Sequence, residues 1–348
     1  MWAYVAVVTV PFLVSWTLTP WVGRWALRRN LVDRPGGRRH HPHPTPRAGG
    51  IALVVAFLVG IGLPLLFPSH FPPIADPNQP IWLRGLILGT LIAALGGLWD
   101  DKVDLPPTGQ FLIQLLCALA AIWSTLFIER INNPLTNTQV IFPRPLVWAL
   151  TIFWVMGMMN TVNWLDGVDG LAASVAAVFS LVLVVHLIAR RLNSVALWPL
   201  ALLGAILGFL PYNWPPARLF LGSTGAYSLG FIMAALGIAA GAKIATVLLV
   251  LALPIVDVAW QIVRRWQAGK SPFTGDRGHL HLRLYDVGWS PRRIILFYLT
   301  WESVMGALAL FTSSRRLKLV LLPLVLLAAL LTVLWATRQT GGQGEDCG

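Results

Sequence analysis

The sequence predicts an all-α membrane protein with about eleven (ten to eleven) transmembrane helices. Of its 348 residues, 56% are hydrophobic and only 11% are charged, and the mean hydropathy is +0.70. Soluble domains are much less apolar than this. A helix that spans the bilayer needs about 20 predominantly apolar residues. Stretches of that kind occur at residues 3–23, 49–67, 81–99, 109–128, 145–161, 170–189, 195–211, 217–239, 242–263, 292–312 and 317–337.

The same pattern predicts a single integral-membrane domain at residues 1–338, because no repeat, soluble domain or linker interrupts it. Residues 339–348 are polar and rich in glycine, and we expect them to form a disordered tail. The 17 tryptophans fit belts at the two membrane surfaces, where an indole ring is half buried and half hydrated.

Positive charge is spread unevenly between the loops, which indicates how the protein lies in the membrane. Residues 24–47 and residues 264–293 each carry seven Lys or Arg residues, whereas residues 68–80 carry none. Cytoplasmic loops carry an excess of Lys and Arg, so the loops after the odd-numbered spans are predicted to be cytoplasmic. Arg190-Arg191 and Arg315-Arg316 lie in even-numbered loops and run against this rule. The asymmetry accounts for the net charge of +12, and no nucleic acid is expected as a partner.

Five clusters of polar residues fall in the odd-numbered loops and are therefore predicted to share the cytoplasmic face. Comparable clusters do not occur in the even-numbered loops, so one composite site at the membrane surface is the simplest account. The clusters are residues 33–50, 100–104, 160–172, 213–225 and 276–283.

The third cluster contains Asn160, Asn163, Asp166 and Asp169 between two apolar stretches. Ionisable groups near the hydrocarbon layer are costly unless they face a wet cavity or a partner. Asn163, Asp166 and Asp169 recur every three residues, which places them roughly on one helix face. A polar helix cap would explain one of these side chains but not four. The cluster therefore predicts a functional site.

Asp100 and Asp101 end the third predicted span. Adjacent carboxylates repel each other, and a divalent cation or a shared proton relieves the repulsion. Carboxylate and amide oxygens suit a hard cation such as Mg²⁺, which usually also binds substrate phosphate. The spacing of Cys and His does not match a zinc site. For this pair taken alone, a solvated helix end is the alternative.

Arg38, Arg39 and His41 lie in a first loop that is rich in proline and glycine. Arginine forks match the geometry of phosphate oxygens, so this run predicts phosphate binding. Two alternatives stay open. The run could be ordinary positive-inside charge in contact with acidic lipids, or a histidine-rich metal tract.

His279, His281 and Arg283 form the last cluster and could bind a nucleotide pyrophosphate if they share one side of an extended segment. A cytosolic linker with incidental histidines is the alternative. The turn at residues 222–225, Gly-Ser-Thr-Gly, could hold an anion at a helix N-terminus. Glycines of this kind also simply pack membrane helices together.

A cation site, phosphate-binding cations and a nucleotide-sized polar patch beside lipid-accessible helices suit phosphoryl transfer from a cytosolic donor to a lipid acceptor. Such catalysis depends mostly on positioning and charge neutralisation. The alternative hypothesis is a transporter, for which we would expect polar residues at mid-span and internal symmetry. The spans are almost free of charge and show no repeat, so the sequence disfavours a transporter.

These motifs resemble those of the polyprenyl-phosphate N-acetylhexosamine-1-phosphate transferase superfamily. The similarity covers most of the chain in the same order, and the histidine motif is similar to that of the WecA-like branch rather than the MraY-like branch. The motifs that carry the resemblance begin at Asp33, Asp100, Asn160, Gly208 and His279.

The resemblance implies an enzyme that depends on Mg²⁺, with Mn²⁺ as the alternative ion. Such enzymes transfer a sugar 1-phosphate, here N-acetylglucosamine 1-phosphate in the simplest case, from UDP-N-acetylhexosamine to undecaprenyl phosphate and release UMP. The product is a lipid-linked pyrophosphoryl sugar for cell-envelope polysaccharide synthesis. The enzyme would lie in the bacterial cytoplasmic membrane with its active-site loops in the cytoplasm, and a homodimer is a possible assembly.

The resemblance also implies roles for single residues. Asp100 or Asp101 would deprotonate or position the lipid phosphate. Asn163 would help to hold Mg²⁺, while Asp166 and Asp169 would contact the nucleotide or the metal. Substrate binding would fall to Arg38, Arg39, His41, Asn160, Asp166, Asn213, His279, His281 and Arg283.

Two positions depart from the family pattern. Ser223 stands where the family has an aspartate that binds the metal, and a hydroxyl is a poorer Mg²⁺ ligand than a carboxylate. Leu282 stands where the histidine motif usually has a further histidine. Ser223 therefore predicts one of two situations. Either Asp166 or Asp169 supplies the missing carboxylate, or the protein is a catalytically impaired relative that binds nucleotide sugar or acts as a scaffold.

Overall fold

The computed structural model describes residues 2–33, 44–133, 136, 138–241, 244–270, 278–312 and 314–342. This part of the chain contains thirteen α-helices and two short antiparallel hairpins. The helices are α1 Trp2–Arg28, α2 Gly50–Leu66, α3 Gln79–Val103, α4 Pro107–Trp123, α5 Arg144–Leu165, α6 Leu171–Ala189, α7 Asn193–Asn213, α8 Gly222–Ala239, α9 Ile244–Val250, α10 Ala252–Gln267, α11 Leu280–Asp286, α12 Pro291–Phe311 and α13 Arg315–Gly342.

The prediction of an all-α protein that crosses the membrane many times is confirmed. Within the described residues, eight helices are long and apolar enough to span a bilayer, and α2 and α4 are apolar helices of 17 residues each. These ten helices coincide with ten of the eleven predicted spans. The eight longer ones are α1, α3, α5, α6, α7, α8, α12 and most of α13.

The predicted ninth span, residues 242–263, is wrong as a single helix. The structure divides it into α9 and α10, with the break at Leu251, and neither qualifies as a span. The reason lies in α10, where Asp257, Gln261 and Arg265 recur every four residues and are buried. Toward its C-terminal end the apolar side chains Ile262, Val263 and Trp266 are exposed instead, as expected where a helix faces lipid.

At the end of the chain, α13 continues to Gly342. Residues 343–348 lie outside the described part, so the predicted disordered tail stays a prediction there. The same holds for Arg38, Arg39 and His41, which fall in the segment 34–43.

The first hairpin closes the segment that contains these three residues. β1 (Val32–Asp33) pairs with β2 (Thr45–Pro46), and the chain then runs along the segment that precedes α8. The Phe220 amide donates to the Pro46 carbonyl at 2.9 Å, and the Gly49 amide donates to the Phe220 carbonyl at 3.0 Å. The second hairpin, β3 (Arg130–Asn132) with β4 (Gln139–Ile141), lies between α4 and α5.

Helix α8 forms the centre of the bundle, and nearly all of its side chains are buried. It is apolar on every side, as expected for a helix surrounded by others. Its first turn packs against neighbouring helices backbone to backbone. A Cβ atom on Gly50 of α2 would lie 2.1 Å from the Gly225 nitrogen, and one on Gly97 of α3 would lie 2.4 Å from the Ser223 carbonyl oxygen. Glycines therefore bring α2 and α3 against the start of α8.

We predict that Gly50→Ala strongly destabilises the protein, by about 3 kcal/mol or more, because the methyl group would overlap the backbone of α8. Gly62→Ala is the matched control, since it lies in the same helix and has nothing within 4 Å of its Cβ position. Thermal unfolding of the two purified variants in detergent measures the difference. Equal unfolding temperatures would contradict the close approach of α2 to α8.

Candidate functional site

A cavity of about 1120 Å³ opens at one end of the helix bundle. Its walls come from the C-terminal ends of α3, α5 and α7 and from the N-terminal ends of α8 and α12, with loop residues between them. Seven residues that the sequence singled out line this cavity together: Asp100, Asp101, Asn163, Asp166, Asp169, Asn213 and Ser223. Asp33, Thr45 and Arg47 of the first cluster and Leu282 of the last also line it, so all five predicted polar clusters contribute described residues to this one cavity.

Asp101 joins α3 to the N-terminus of α8. The backbone N–H groups of Ser223 and Thr224 donate to its two carboxylate oxygens at 2.8 and 3.0 Å, and the Thr224 hydroxyl donates at 2.6 Å. Free N–H groups and the helix dipole both favour a carboxylate at this position. Gly222 makes the contact possible, because its φ of +71° suits glycine and a Cβ atom would lie 2.7 Å from the Asp101 carboxylate.

Asp100 has a different set of partners, although it is the neighbouring residue. One carboxylate oxygen accepts from the Leu105 amide at 2.8 Å and from the Gln110 side chain at 3.4 Å. The other accepts from the hydroxyl of Tyr227, a fully buried residue of α8, at 3.0 Å. Both aspartates are nearly buried, yet both line the cavity. All the hydrogen bonds named for Asp101 come from α8, whereas those of Asp100 come from Leu105, Gln110 and Tyr227.

Asp166 and Asp169 lie in the turn between α5 and α6 and line the same cavity. Burial raises the pKa of the Asp166 carboxyl well above its ordinary value, and the carboxylates of Asp101 and Asp169 raise it further. One oxygen of Asp169 accepts from the Ala217 amide at 2.9 Å. Because several carboxylates share one cavity, a cation placed between them would lower their mutual repulsion.

The donor set fits a magnesium ion that is held mainly by substrate. No three Asp, Glu, His or Cys side chains of the described residues converge closely enough to hold an ion by themselves. Mg²⁺ usually keeps several waters and binds one or two carboxylates together with phosphates, so it does not need such a cluster. Asn163, Asp166 and Asp169 offer suitable oxygens at the cavity wall, and the Ser223 hydroxyl is a weaker donor nearby.

Arg47 and Arg292 contribute positive charge to the same cavity. Arg47 forms ion pairs with Asp33 at 3.2 Å and Asp104 at 3.3 Å. Arg292, at the start of α12, donates two hydrogen bonds to the Pro215 carbonyl. The sequence analysis placed Arg47 in the first polar cluster and counted Arg292 among the basic residues of the loop before the tenth span, without giving either a role. The only sequence indication for Arg292 was the Ser-Pro-Arg-Arg pattern of a helix N-terminus.

Asn213, the last residue of α7, lines the cavity, and its buried side-chain oxygen has no hydrogen-bond partner among the described residues. Its amide nitrogen donates to the Leu219 carbonyl at 3.0 Å, which determines the side-chain orientation. The residue is almost completely buried. A buried polar atom without a partner is costly, so the arrangement favours a ligand with a hydrogen-bond donor.

The structure places Asn160 away from the cavity lining. It forms a paired amide contact with Gln114 of α4, at 2.7 and 3.1 Å, and donates to the Met156 carbonyl. Asn160 lies one turn before Asn163, so its contact connects α5 to α4 just behind the cavity. This geometry supports a role in holding α5 in place, whereas contact with substrate stays a prediction.

His279, His281 and Arg283 come together but lie behind the cavity wall. The rings of His279 and His281 stack with centroids 5.8 Å apart, and the Nδ1 of His279 lies 3.0 Å from the Asp257 carboxylate. Burial and the neighbouring His279 lower the pKa of His281 to about 3. Its Nε2 lies close to Gly167, in the turn that carries Asp166 and Asp169. Sequence reasoning missed Asp257, a carboxylate within a predicted span.

The fold and the site define an integral-membrane protein with an acidic and basic cavity at one end of its helices. The model of the family described as glycosyl transferase family 4 matches residues 83–241 of this chain. A Bacillus subtilis (strain 168) protein named probable undecaprenyl-phosphate N-acetylglucosaminyl 1-phosphate transferase is 29% identical over 301 residues, which cover 83% of this chain and 80% of that protein.

Two further relatives come from other bacteria. The decaprenyl-phosphate N-acetylglucosaminephosphotransferase of Mycolicibacterium smegmatis is 29% identical over 329 residues, 84% of this chain and 78% of that protein. The phospho-N-acetylmuramoyl-pentapeptide-transferase of Staphylococcus saprophyticus is 26% identical over 321 residues, 87% of this chain and 95% of that protein. The resemblance to the polyprenyl-phosphate N-acetylhexosamine-1-phosphate transferase superfamily is confirmed.

We predict that Asp101→Ala lowers the free energy of unfolding by about 1–3 kcal/mol, because three donors at the start of α8 lose their acceptor. Asp101→Asn keeps one acceptor oxygen and should cost less. Thermal unfolding in detergent at neutral pH gives both values. Wild-type stability in the alanine variant would show that Asp101 does not anchor α8.

Proposed function

We propose that this protein transfers N-acetylglucosamine 1-phosphate from UDP-N-acetylglucosamine to undecaprenyl phosphate. The observation that carries the proposal is the convergence of Asp100, Asp166, Asp169 and Asn163 with two arginines in one cavity at the end of a membrane bundle. The named activities of the relatives support the choice of reaction and of sugar.

In the proposed reaction, the lipid phosphate replaces UMP as the group joined to the sugar phosphate through a phosphoanhydride bond. A phosphate oxygen of the lipid attacks the phosphorus that carries the sugar, and a new P–O–P bond forms. The bond from that phosphorus to the bridging oxygen breaks, and UMP leaves with the electron pair. The products are a lipid-linked pyrophosphoryl sugar and UMP. Little covalent chemistry is required of the protein, which must align three phosphates and neutralise their charge.

The residues of the cavity fit these tasks. Asp100 is proposed to accept the proton of the lipid phosphate or to orient that group. Arg47 and Arg292 provide positive charge for phosphate oxygens, and the free oxygen of Asn213 can accept a hydrogen bond from substrate. Mg²⁺, when bound near Asp166 and Asp169, would neutralise pyrophosphate charge.

The proposed location is the bacterial cytoplasmic membrane, with the cavity facing the cytoplasm. The structure contains many apolar helices, which supports a multi-pass membrane protein. The loops at the cavity end also carry most of the basic residues, and positive loops favour the cytoplasmic side. A water-soluble UDP-sugar would reach the cavity from that side, while the lipid acceptor would enter between the helices.

We predict that the purified protein releases UMP only when UDP-N-acetylglucosamine, undecaprenyl phosphate and Mg²⁺ are all present. Asp100→Asn should lower the turnover number at least about a hundredfold, because an amide cannot accept a proton as a carboxylate does. Asp76→Asn is the matched control, since Asp76 lies just before the opposite end of α3.

Release of UMP can be followed by chromatography, and the lipid product by mass spectrometry. A wild-type protein without turnover for any UDP-N-acetylhexosamine would overturn the proposed function. Near-normal turnover of Asp100→Asn would remove this carboxylate from the mechanism and leave the proposed reaction intact.

We predict that Ser223→Asp lowers the Mg²⁺ concentration needed for half-maximal turnover by about tenfold, because a carboxylate adds a charged ligand to the cavity. Ser223→Asn is the matched control, because asparagine has nearly the size of aspartate but carries no charge. This variant should leave the Mg²⁺ requirement unchanged. Magnesium titrations of the three proteins test this. A large gain in maximal turnover from a near-zero baseline would instead favour a catalytically impaired relative.

A further inference from the structure

We infer that Tyr227 is a positioning residue. It holds the Asp100 carboxylate in the orientation that this side chain needs to accept the proton of the lipid phosphate or to orient that phosphate. The inference rests on the proposed function and deepens it. Tyr227 is not part of the cavity lining, so it would act through Asp100 rather than on substrate. Its hydroxyl donates to Asp100 at 3.0 Å.

The direction of this hydrogen bond follows from the chemistry of the two groups. An ionised carboxylate only accepts hydrogen bonds, and a tyrosine hydroxyl has an ordinary pKa of about 10, so it keeps its proton near neutral pH. The Leu105 amide and the Gln110 side chain occupy the other oxygen of Asp100. Tyr227 therefore determines the orientation of the remaining oxygen.

Tyr227 also connects the two neighbouring aspartates through one short helical segment. Thr224 binds Asp101, and Tyr227 follows three residues later, on the same face of α8. Successive residues on a helix point about 100° apart, so Asp100 and Asp101 reach different positions on α8. The first turns of α8 thus hold both carboxylates at a defined separation.

The Tyr227 hydroxyl is not needed to keep α8 in place. Glycine contacts at Gly50 and Gly97 bring the backbones together, and Asp101 anchors the helix N-terminus. Tyr227→Phe keeps the ring and its packing, and it removes only the hydroxyl group. Its effect on catalysis can therefore be separated from an effect on the fold.

The test compares Tyr227→Phe with wild type in the UMP-release assay, using the full chain in detergent or lipid. We expect kcat to fall about ten- to a hundredfold, as for a misplaced catalytic group, while KM for UDP-N-acetylglucosamine stays within about twofold. We expect no further loss when Tyr227→Phe is added to Asp100→Asn. Tyr212→Phe is the control, because its hydroxyl donates to the Trp16 carbonyl, away from the cavity lining.

The outcomes separate the two proposals. A wild-type enzyme with turnover and a Tyr227→Phe variant within twofold of it would overturn the inference alone. An equal loss in the Asp100→Asn background would also overturn it, because Tyr227 would then act independently of Asp100. No turnover in the wild-type protein would overturn the proposed function and the inference that rests on it.

Discussion

The contact between the end of α3 and the start of α8 determines most of the site. Gly97 of α3 allows the two backbones to meet, and Asp101 accepts from the N–H groups that the first turn of α8 leaves unpaired. A helix terminus without such an acceptor would be costly at this depth. This contact fixes the positions of Asp100, Asp101, Gly222 and Ser223, which line the cavity. The segment before α8 then receives the loop that carries Arg47, through backbone hydrogen bonds between residues 46–50 and 220–221.

The adjacent residues Asp100 and Asp101 have different partners and therefore different roles. A helix directs successive side chains about 100° apart, so the pair cannot serve one partner. Asp101 accepts three hydrogen bonds from α8, whereas Asp100 is held by Leu105, Gln110 and Tyr227 beside the cavity. The sequence alone suggested a shared cation or proton for both. The structure favours an anchoring role for Asp101 and leaves Asp100 as the better candidate for chemistry.

The sequence predicted most of the apolar helices and the convergence of several polar residues, because both depend on patterns that are local in the chain. Apolar length identified ten helices, and the odd-numbered loops correctly grouped residues such as Asp100, Asp166 and Asn213. It could not predict partners that are distant in sequence. Asn160 pairs with Gln114, 46 residues away, and Asp100 accepts from Tyr227, 127 residues away. The break at Leu251 was also missed, because a hydropathy average does not separate the two faces of α10.

His281 contributes shape rather than charge to the cavity. Burial lowers the pKa of His281 to about 3, so its ring stays neutral near physiological pH and would not attract pyrophosphate as a cation. The ring lies beneath Gly167 and stacks on His279, which Asp257 orients. This stack supports the turn that carries Asp166 and Asp169 from behind. Within the described residues, positive charge at the cavity wall therefore comes from Arg47, in the loop before α2, and from Arg292, in the first turn of α12.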